Sequence, residues 1–167
     1  LISTLPHVAR VLLDPADAGP VVLALPQDAQ AEEFDFPIAM FETRVHSAPR
    51  PRPDVRELES AAAVLRAADR PLLVLGGGSR YSGAGSVLLE IATRHGIPVV
   101  ETIAGRANML ATHPLNIGPL GVTGSDSANT VAGAADVVLA VGTRLQDFTT
   151  GSWTRSEEHT SELQSHL

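Results

Sequence analysis

The 167-residue chain contains no cysteine. Disulfide frames, thiolate nucleophiles and cysteine-based zinc sites are therefore excluded. Lysine is also missing: all twelve basic residues are Arg, set against nineteen Asp and Glu for a net charge of −7. The all-Arg usage reads as a GC-rich coding bias. A mildly acidic chain of this kind has no electrostatic footprint for nucleic acid or for an anionic membrane. No apolar run approaches the ~18 residues that a membrane-spanning helix needs. What remains is an Ala, Val, Leu and Gly-rich chain with room for about one domain and a piece of another.

Both ends read as cut. Leu1 replaces an initiator Met, and a helical pattern begins within a few residues. At the other end, Arg155 to Leu167 has no apolar periodicity with which to dock on a core. Arg155 to Ser165 coincides with the translation of a short-read sequencing adapter, so residues 155–167 are expected to be a non-native tail and are left out of the fold reading. The tail carries Arg155, Glu157, Glu158 and Glu162; without it the chain has 11 basic and 16 acidic residues and a net charge of −5.

The pattern along the chain is α/β. Ser3 or Thr4 can cap a first helix, with Val8, Val11 and Leu12 at helical spacing and Asp14-Pro15 as its stop. Val21 to Leu25 is apolar without alternation, as expected of a strand buried on both faces of a parallel sheet. From Gln27 the composition becomes that of a linker. Glu32, Glu33 and Asp35 are acidic, and Pro49, Pro51 and Pro53 favour extended backbone, so 38–53 is expected to be a Pro-rich linker. Phe34, Phe36, Met40 and Phe41 are expected to pin part of this stretch to a domain surface.

A second domain is expected over 54–154. Asp54 and Glu57 have capping-box spacing, and Leu58, Ala61, Ala62 and Leu65 form one apolar stripe. A strand at Leu72–Leu75 ends in Gly76-Gly77-Gly78. A helix from about Ala84 to Arg94 should turn Val87, Leu88 and Ile91 inward and close at Gly96. Ile97 to Val100 is the next strand, which completes a βαβ unit. A loop-rich stretch runs from Glu101 to Gly124, followed by a short helix over Ser127 to Ala134. Val137 to Val141 is a third strand and ends at Gly142.

The chemistry-bearing candidates sit after strands. Gly76, Gly77 and Gly78 could bring backbone N–H groups to an anion. Their spacing to Gly83 is neither the dinucleotide fingerprint nor a P-loop, and a tight turn without a ligand is the commoner use of such a motif. Thr143 and Arg144 follow Gly142 at a strand's carboxyl end, where open parallel sheets form their ligand crevice. Arg144 could pair with an anionic group or with Asp147. His7, His46, His95 and His113 have no metal-ligand spacing. Glu90 and Glu101 are isolated carboxylates of the kind that usually serve as surface charge. No catalytic and no metal-binding residue is assigned.

Four segments carry a family resemblance. Gly19-Pro20-Val21-Val22-Leu23-Ala24-Leu25-Pro26-Gln27-Asp28-Ala29-Gln30 looks like the end of the pyrimidine-binding domain of thiamine-diphosphate (ThDP) enzymes. Pro71 to Ala84, His113 to Gly118 with Gly121 to Ser125, and Ala135 to Trp153 resemble their Rossmann-like central domain. Gln146-Asp147-Phe148-Thr149-Thr150-Gly151-Ser152 points, within that superfamily, to the trihydroxycyclohexane-1,2-dione hydrolases. Arg106 departs from the pattern, since Lys is common there after Ala-Gly. The Gly-rich segments are shared with acetolactate synthases and glyoxylate carboligase, and a free-standing nucleotide-binding module is the reading from another class.

The resemblance implies an α/β central domain with a doubly wound, mostly parallel sheet at 54–154, preceded at 1–37 by the end of a pyrimidine-binding α/β domain. It implies an internal fragment of a cytoplasmic enzyme that uses ThDP and Mg2+ to hydrolyse a carbon–carbon bond of a small-molecule substrate in inositol breakdown. The Glu that promotes the ylid and the Gly-Asp-Gly…Asn segment that holds Mg2+ and pyrophosphate would both lie outside this chain. The complete protein would be a homo-oligomer, dimer or tetramer, because such active sites form between subunits. Central domains of this superfamily sometimes hold FAD or an ADP group; this one is expected to be a spacer.

Overall fold

The computed structural model describes residues 1–14, 18–45 and 50–152, and the backbone of 161–165. Pro15, His46, Pro49 and Trp153 lie outside the described residues. The chain divides into two compact units, Leu1–Pro51 and Arg52–Leu167.

In the first unit, α1 (Thr4–Leu13) opens with Leu1 O accepting the N–H groups of Thr4 and Leu5 at 3.1 and 2.9 Å. Ser3 makes no side-chain cap. The expected strand at Val21–Leu25 does not form: the run pairs with no strand among the described residues, and Val22 is 92% exposed. A strand exists only where a second backbone completes its hydrogen bonds, and none of the described residues of this unit does so. A short α2 (Gln27–Gln30) and a 3-10 turn (Ile38–Phe41) follow. The Phe residues pack on one another. Phe36 meets Phe34 edge-on at 4.9 Å between ring centroids and Phe41 at 6.4 Å.

The second unit begins where Asp54 caps α3 (Val55–Ala67), its Oδ1 accepting from Arg56 N at 2.8 Å and Glu57 N at 3.4 Å. Leu58 of the expected stripe is exposed, while Ala61, Ala62 and Leu65 are half-buried. The sheet is parallel throughout, in the order β3-β2-β1-β4-β5. Its centre is β1 (Pro71–Leu75), flanked by β2 (Val99–Glu101) and β4 (Val137–Val141). Leu72, Leu73, Val74 and Leu75 are each 1% exposed, so the unbroken apolar run is explained by burial on both faces. Leu73 and Leu75 pack with Leu88, Ala92, Val99 and Met109 on one face. Leu72 and Val74 pack with Val100, Leu120, Ala128 and Ala140 on the other. Helices on both faces make this a doubly wound α/β domain.

Between β1 and β2 lie α4 (Gly77–Tyr81) and α5 (Gly85–His95), the latter closed by a left-handed Gly96. The buried face of α5 is Leu88 and Ala92, not the expected Val87–Leu88–Ile91 set; Val87 is 58% exposed. Leu88 and Ala92, four apart, share one helix face, and Val87 and Ile91 are each one position back from it. The loop-rich stretch contains an unexpected edge strand, β3 (Asn116–Pro119), paired with β2 across a register shift. Ser125 caps α6 (Asp126–Ala134), its Oγ accepting from Ala128 N at 3.2 Å.

The backbone of Ser161–Ser165 adds β5 to the free side of β4. The absence of apolar periodicity in the tail was not expected to allow docking. Pairing, however, draws on backbone groups, and an edge strand presents a row of these to any extended segment.

At the amino ends of the strands, Asp136 closes the sheet. Its carboxylate accepts from Asp69 N at 2.8 Å and Arg70 N at 2.9 Å. Desolvation pushes this carboxyl up, but the backbone N–H groups of Asp69 and Arg70 and the Arg70 charge outweigh it and hold the group below the ordinary carboxylate range.

Candidate functional site

The strand order reverses at β1: β2 and β3 lie to one side, β4 to the other. In an open parallel sheet, the crevice beyond the carboxyl ends at this reversal is where ligands bind. A crevice of about 210 Å³ occurs there, walled by Gly77, Gly78, Thr143 and Arg144 together with Tyr81, Thr102, Ile103, Gln146, Phe148 and Thr149. Four of the five residues singled out in the sequence are thus brought together. Gly76 stands behind the wall, where an added Cβ would strike Gly142 O and Thr143 Cβ.

Each wall is fixed by local bonds. The β1 turn is held by Gly78 N–H donating to Gly142 O at 2.8 Å and by Ser79 Oγ donating to Gly76 O at 2.6 Å. Thr102 Oγ1 accepts from Gly105 N at 3.1 Å and sets the loop after β2. After β4, Thr143 Oγ1 accepts from Leu145 N at 3.2 Å. Leu145 has φ +45° and is buried. A left-handed Leu costs about 1–2 kcal/mol, which burial of its side chain, worth about 1.5–3 kcal/mol, offsets. The buried Leu145 anchors the turn and leaves its neighbour Arg144 at the crevice. The next short helix, α7 (Asp147–Thr150), carries Phe148 and Thr149 to the opposite rim.

Asn129 braces that rim from below. Its side-chain amide accepts from Gly121 N and donates to Gly121 O, both at 3.0 Å, while Val122 N donates to Phe148 O at 2.9 Å. This buried clamp went unnoticed in the sequence, where Asn129 is one polar residue on a short helix.

Among the described residues Arg144 is the one cation lining the crevice, and no carboxylate or His of theirs lines it. Among the described residues Arg144 forms no ion pair with Asp147; the ion pair present is Glu90–Arg94 on the exposed face of α5, at 2.6 Å. Glu101 is 7% exposed, and its Oε1 accepts from Met109 N at 3.0 Å, which makes it a brace for the loop after β2. His113 Nδ1 accepts from Leu115 N at 3.2 Å. The crevice therefore has no base, nucleophile pair or paired carboxylates. It could hold a group, and Tyr81 is the hydroxyl-bearing aromatic at its wall. Among the described residues no cluster of three His, Asp or Glu could hold a metal ion. No helix among them is long and apolar enough to cross a membrane.

The comparisons with known proteins agree with the fold. The chain is 47% identical over 152 residues to a 3D-(3,5/4)-trihydroxycyclohexane-1,2-dione hydrolase of Geobacillus thermodenitrificans, covering 91% of this chain and 24% of the relative. A protein of the same name from Clostridium perfringens is 46% identical over the same shares. Another, from Shouchella clausii, is 43% identical over 164 residues, 98% of this chain and 26% of the relative. The chain spans about a quarter of the length of these curated relatives. Residues 58–164 match the family described as thiamine pyrophosphate enzyme, central domain, and with its doubly wound sheet and switch-point crevice the chain belongs to that family.

Proposed function

We propose that the chain is an internal segment of a ThDP-dependent hydrolase that opens the ring of trihydroxycyclohexane-1,2-dione. The observation that carries this is continuous similarity through both units, 47% identity over 91% of the chain, to a protein of that name. The relatives named above favour a hydrolase over the carboligase siblings, with which the Gly-rich turns are shared.

In the complete protein ThDP would supply carbanion stabilisation, with residues outside this segment holding it. Water is added across one carbon–carbon bond, and the ring opens to a deoxyglucuronate acid. The present segment supplies no group to that step. Its part is architectural: the central domain spaces and orients the domains that bind the cofactor. The proposal includes Mg2+, a place in inositol breakdown, and a cytoplasmic homo-oligomer acting on a small molecule, which the family resemblance supports, with no nucleic-acid or membrane partner, which the acidic charge and the lack of a long apolar run support.

Long-read sequencing of the source DNA through codon 154 and on both sides tests the reading. The expected result is loss of the adapter codons, a frame that runs on to a Gly-Asp-Gly…Asn segment, and a pyrimidine-domain Glu upstream. Genuine codons for Arg155 to Leu167 followed by a stop would overturn it.

A further inference from the structure

A doubly wound sheet with glycines at its switch point invites a nucleotide, and the resemblance allows FAD or an ADP group in this domain. The residues present do not fit one, and we infer that the switch-point crevice is a protein–protein seam within the domain, closed to adenine nucleotides.

The first ground is the backbone donors. A diphosphate at a glycine turn is held by free N–H groups. Here Gly76 N–H donates to Val141 O at 2.9 Å, continuing the β1–β4 ladder, and Gly78 N–H donates to Gly142 O at 2.8 Å. Two of the three glycine donors are therefore already taken, and the acceptor of one is a carbonyl of the facing turn. A phosphate oxygen brought to Gly78 would have to displace Gly142 O.

The glycines themselves point the same way. A Cβ at Gly78 would lie 2.8 Å from Gly142 Cα, and a Cβ at Gly142 would strike Ser79 N and Gly78. These two glycines allow one turn to touch the other. The close approach that a nucleotide-binding fingerprint reserves for pyrophosphate is here occupied by protein.

Two further features agree. The helix that follows the turn is α4, only five residues long, so the turn lacks the long helix whose dipole would favour an anion there. The crevice measures about 210 Å³, below the ~300–1,000 Å³ of small-molecule sites. Among the described residues Arg144 is the cation left at the rim.

The test uses the complete protein with ThDP and Mg2+ at saturation, so that its pyrophosphate site is blocked. ADP and FAD are titrated by calorimetry, beside an Arg144→Gln variant and a thermal melt of Gly78→Ala. The expected results are no saturable binding below about millimolar for either nucleotide, and a fall in melting temperature for Gly78→Ala. Binding that Arg144→Gln leaves unchanged would lie elsewhere and agrees with a closed crevice. Saturable micromolar binding weakened tenfold or more by Arg144→Gln would overturn the inference. Hydrolase activity, read in the same preparations, bears separately on the proposed function.

Discussion

Arg70 and Asp136 hold each other in both directions: Arg70 N–H donates to Asp136 Oδ1 at 2.9 Å, and Asp136 N–H donates to Arg70 O at 3.2 Å. The pair lies one residue before β1 and one before β4, so it fixes the register of the two central strands, Pro71 opposite Val137. The carboxyl is held below its ordinary range by those N–H groups and the Arg70 charge, against the opposing effect of desolvation. A group with a depressed folded pKa stabilises above its unfolded value, near pH 4, and that contribution is lost as pH falls through the folded pKa. Asp136→Asn should therefore lower the denaturation midpoint of the complete protein at pH 7. The gap to wild type should narrow as pH drops below about 4. A constant gap down to pH 2 would show that the charge is irrelevant.

Gly142 and Gly83 both have positive φ, +62° and +71°. An added Cβ at Gly83 meets nothing within 4 Å, whereas one at Gly142 meets the backbone of Gly78 and Ser79. Gly83→Ala should cost about 1 kcal/mol, for conformation alone. Gly142→Ala should cost about 2–4 kcal/mol, since overpacking is added to it. Chemical denaturation of the two variants measures the difference, and equal costs would mean that the two turns do not touch.

Asn129→Ala removes both bonds to Gly121 and leaves the buried Gly121 N–H without its partner, while Gly121 O keeps the N–H of Gly124. The expected loss is about 2–3 kcal/mol, accompanied by faster amide exchange at Gly121 and Val122. A change under about 0.5 kcal/mol, the size of an ordinary surface substitution, would show that the clamp is dispensable.

In the chain as given, residues 1–37 should exchange amide protons much faster than 54–154. None of the described residues in 1–37 is buried, while the sheet holds residues at 0–1% exposure. Exchange protection follows buried contacts and protected hydrogen bonds. Equal protection in the two segments would contradict the assignment of a self-sufficient core to the second unit alone.

How much of this was legible depends on the kind of signal. Leu72–Leu75 and Val137–Val141 are uninterrupted apolar runs, and a central parallel strand demands that pattern. Asp54, Gly96 and Gly142 mark ends through their own conformational preferences. The edge strand β3 left no trace, because Asn116-Ile117-Gly118-Pro119 has one large apolar residue and a glycine at φ +112°. Val21–Leu25 shows the converse: an apolar run announces a strand, but a strand also needs a partner backbone. On α5 the expected Leu88 is buried, but Val87 and Ile91 are exposed and the second inward position is the small Ala92, which no bulk in the sequence marks. At the crevice, Gly77, Gly78, Thr143 and Arg144 were found because they follow strands at the sheet's carboxyl edge. Thr102 and Ile103 reach it from the loop after β2 and Phe148 from the four-residue α7, and neither is long or regular enough to have a periodicity to read.

The most direct test of the central claim is an assay of the complete protein, with ThDP and Mg2+, on trihydroxycyclohexane-1,2-dione. Loss of the dione and appearance of an acid heavier by one water, dependent on added ThDP, is the predicted result. No turnover of the dione, together with ThDP-dependent formation of acetolactate from pyruvate, would contradict it.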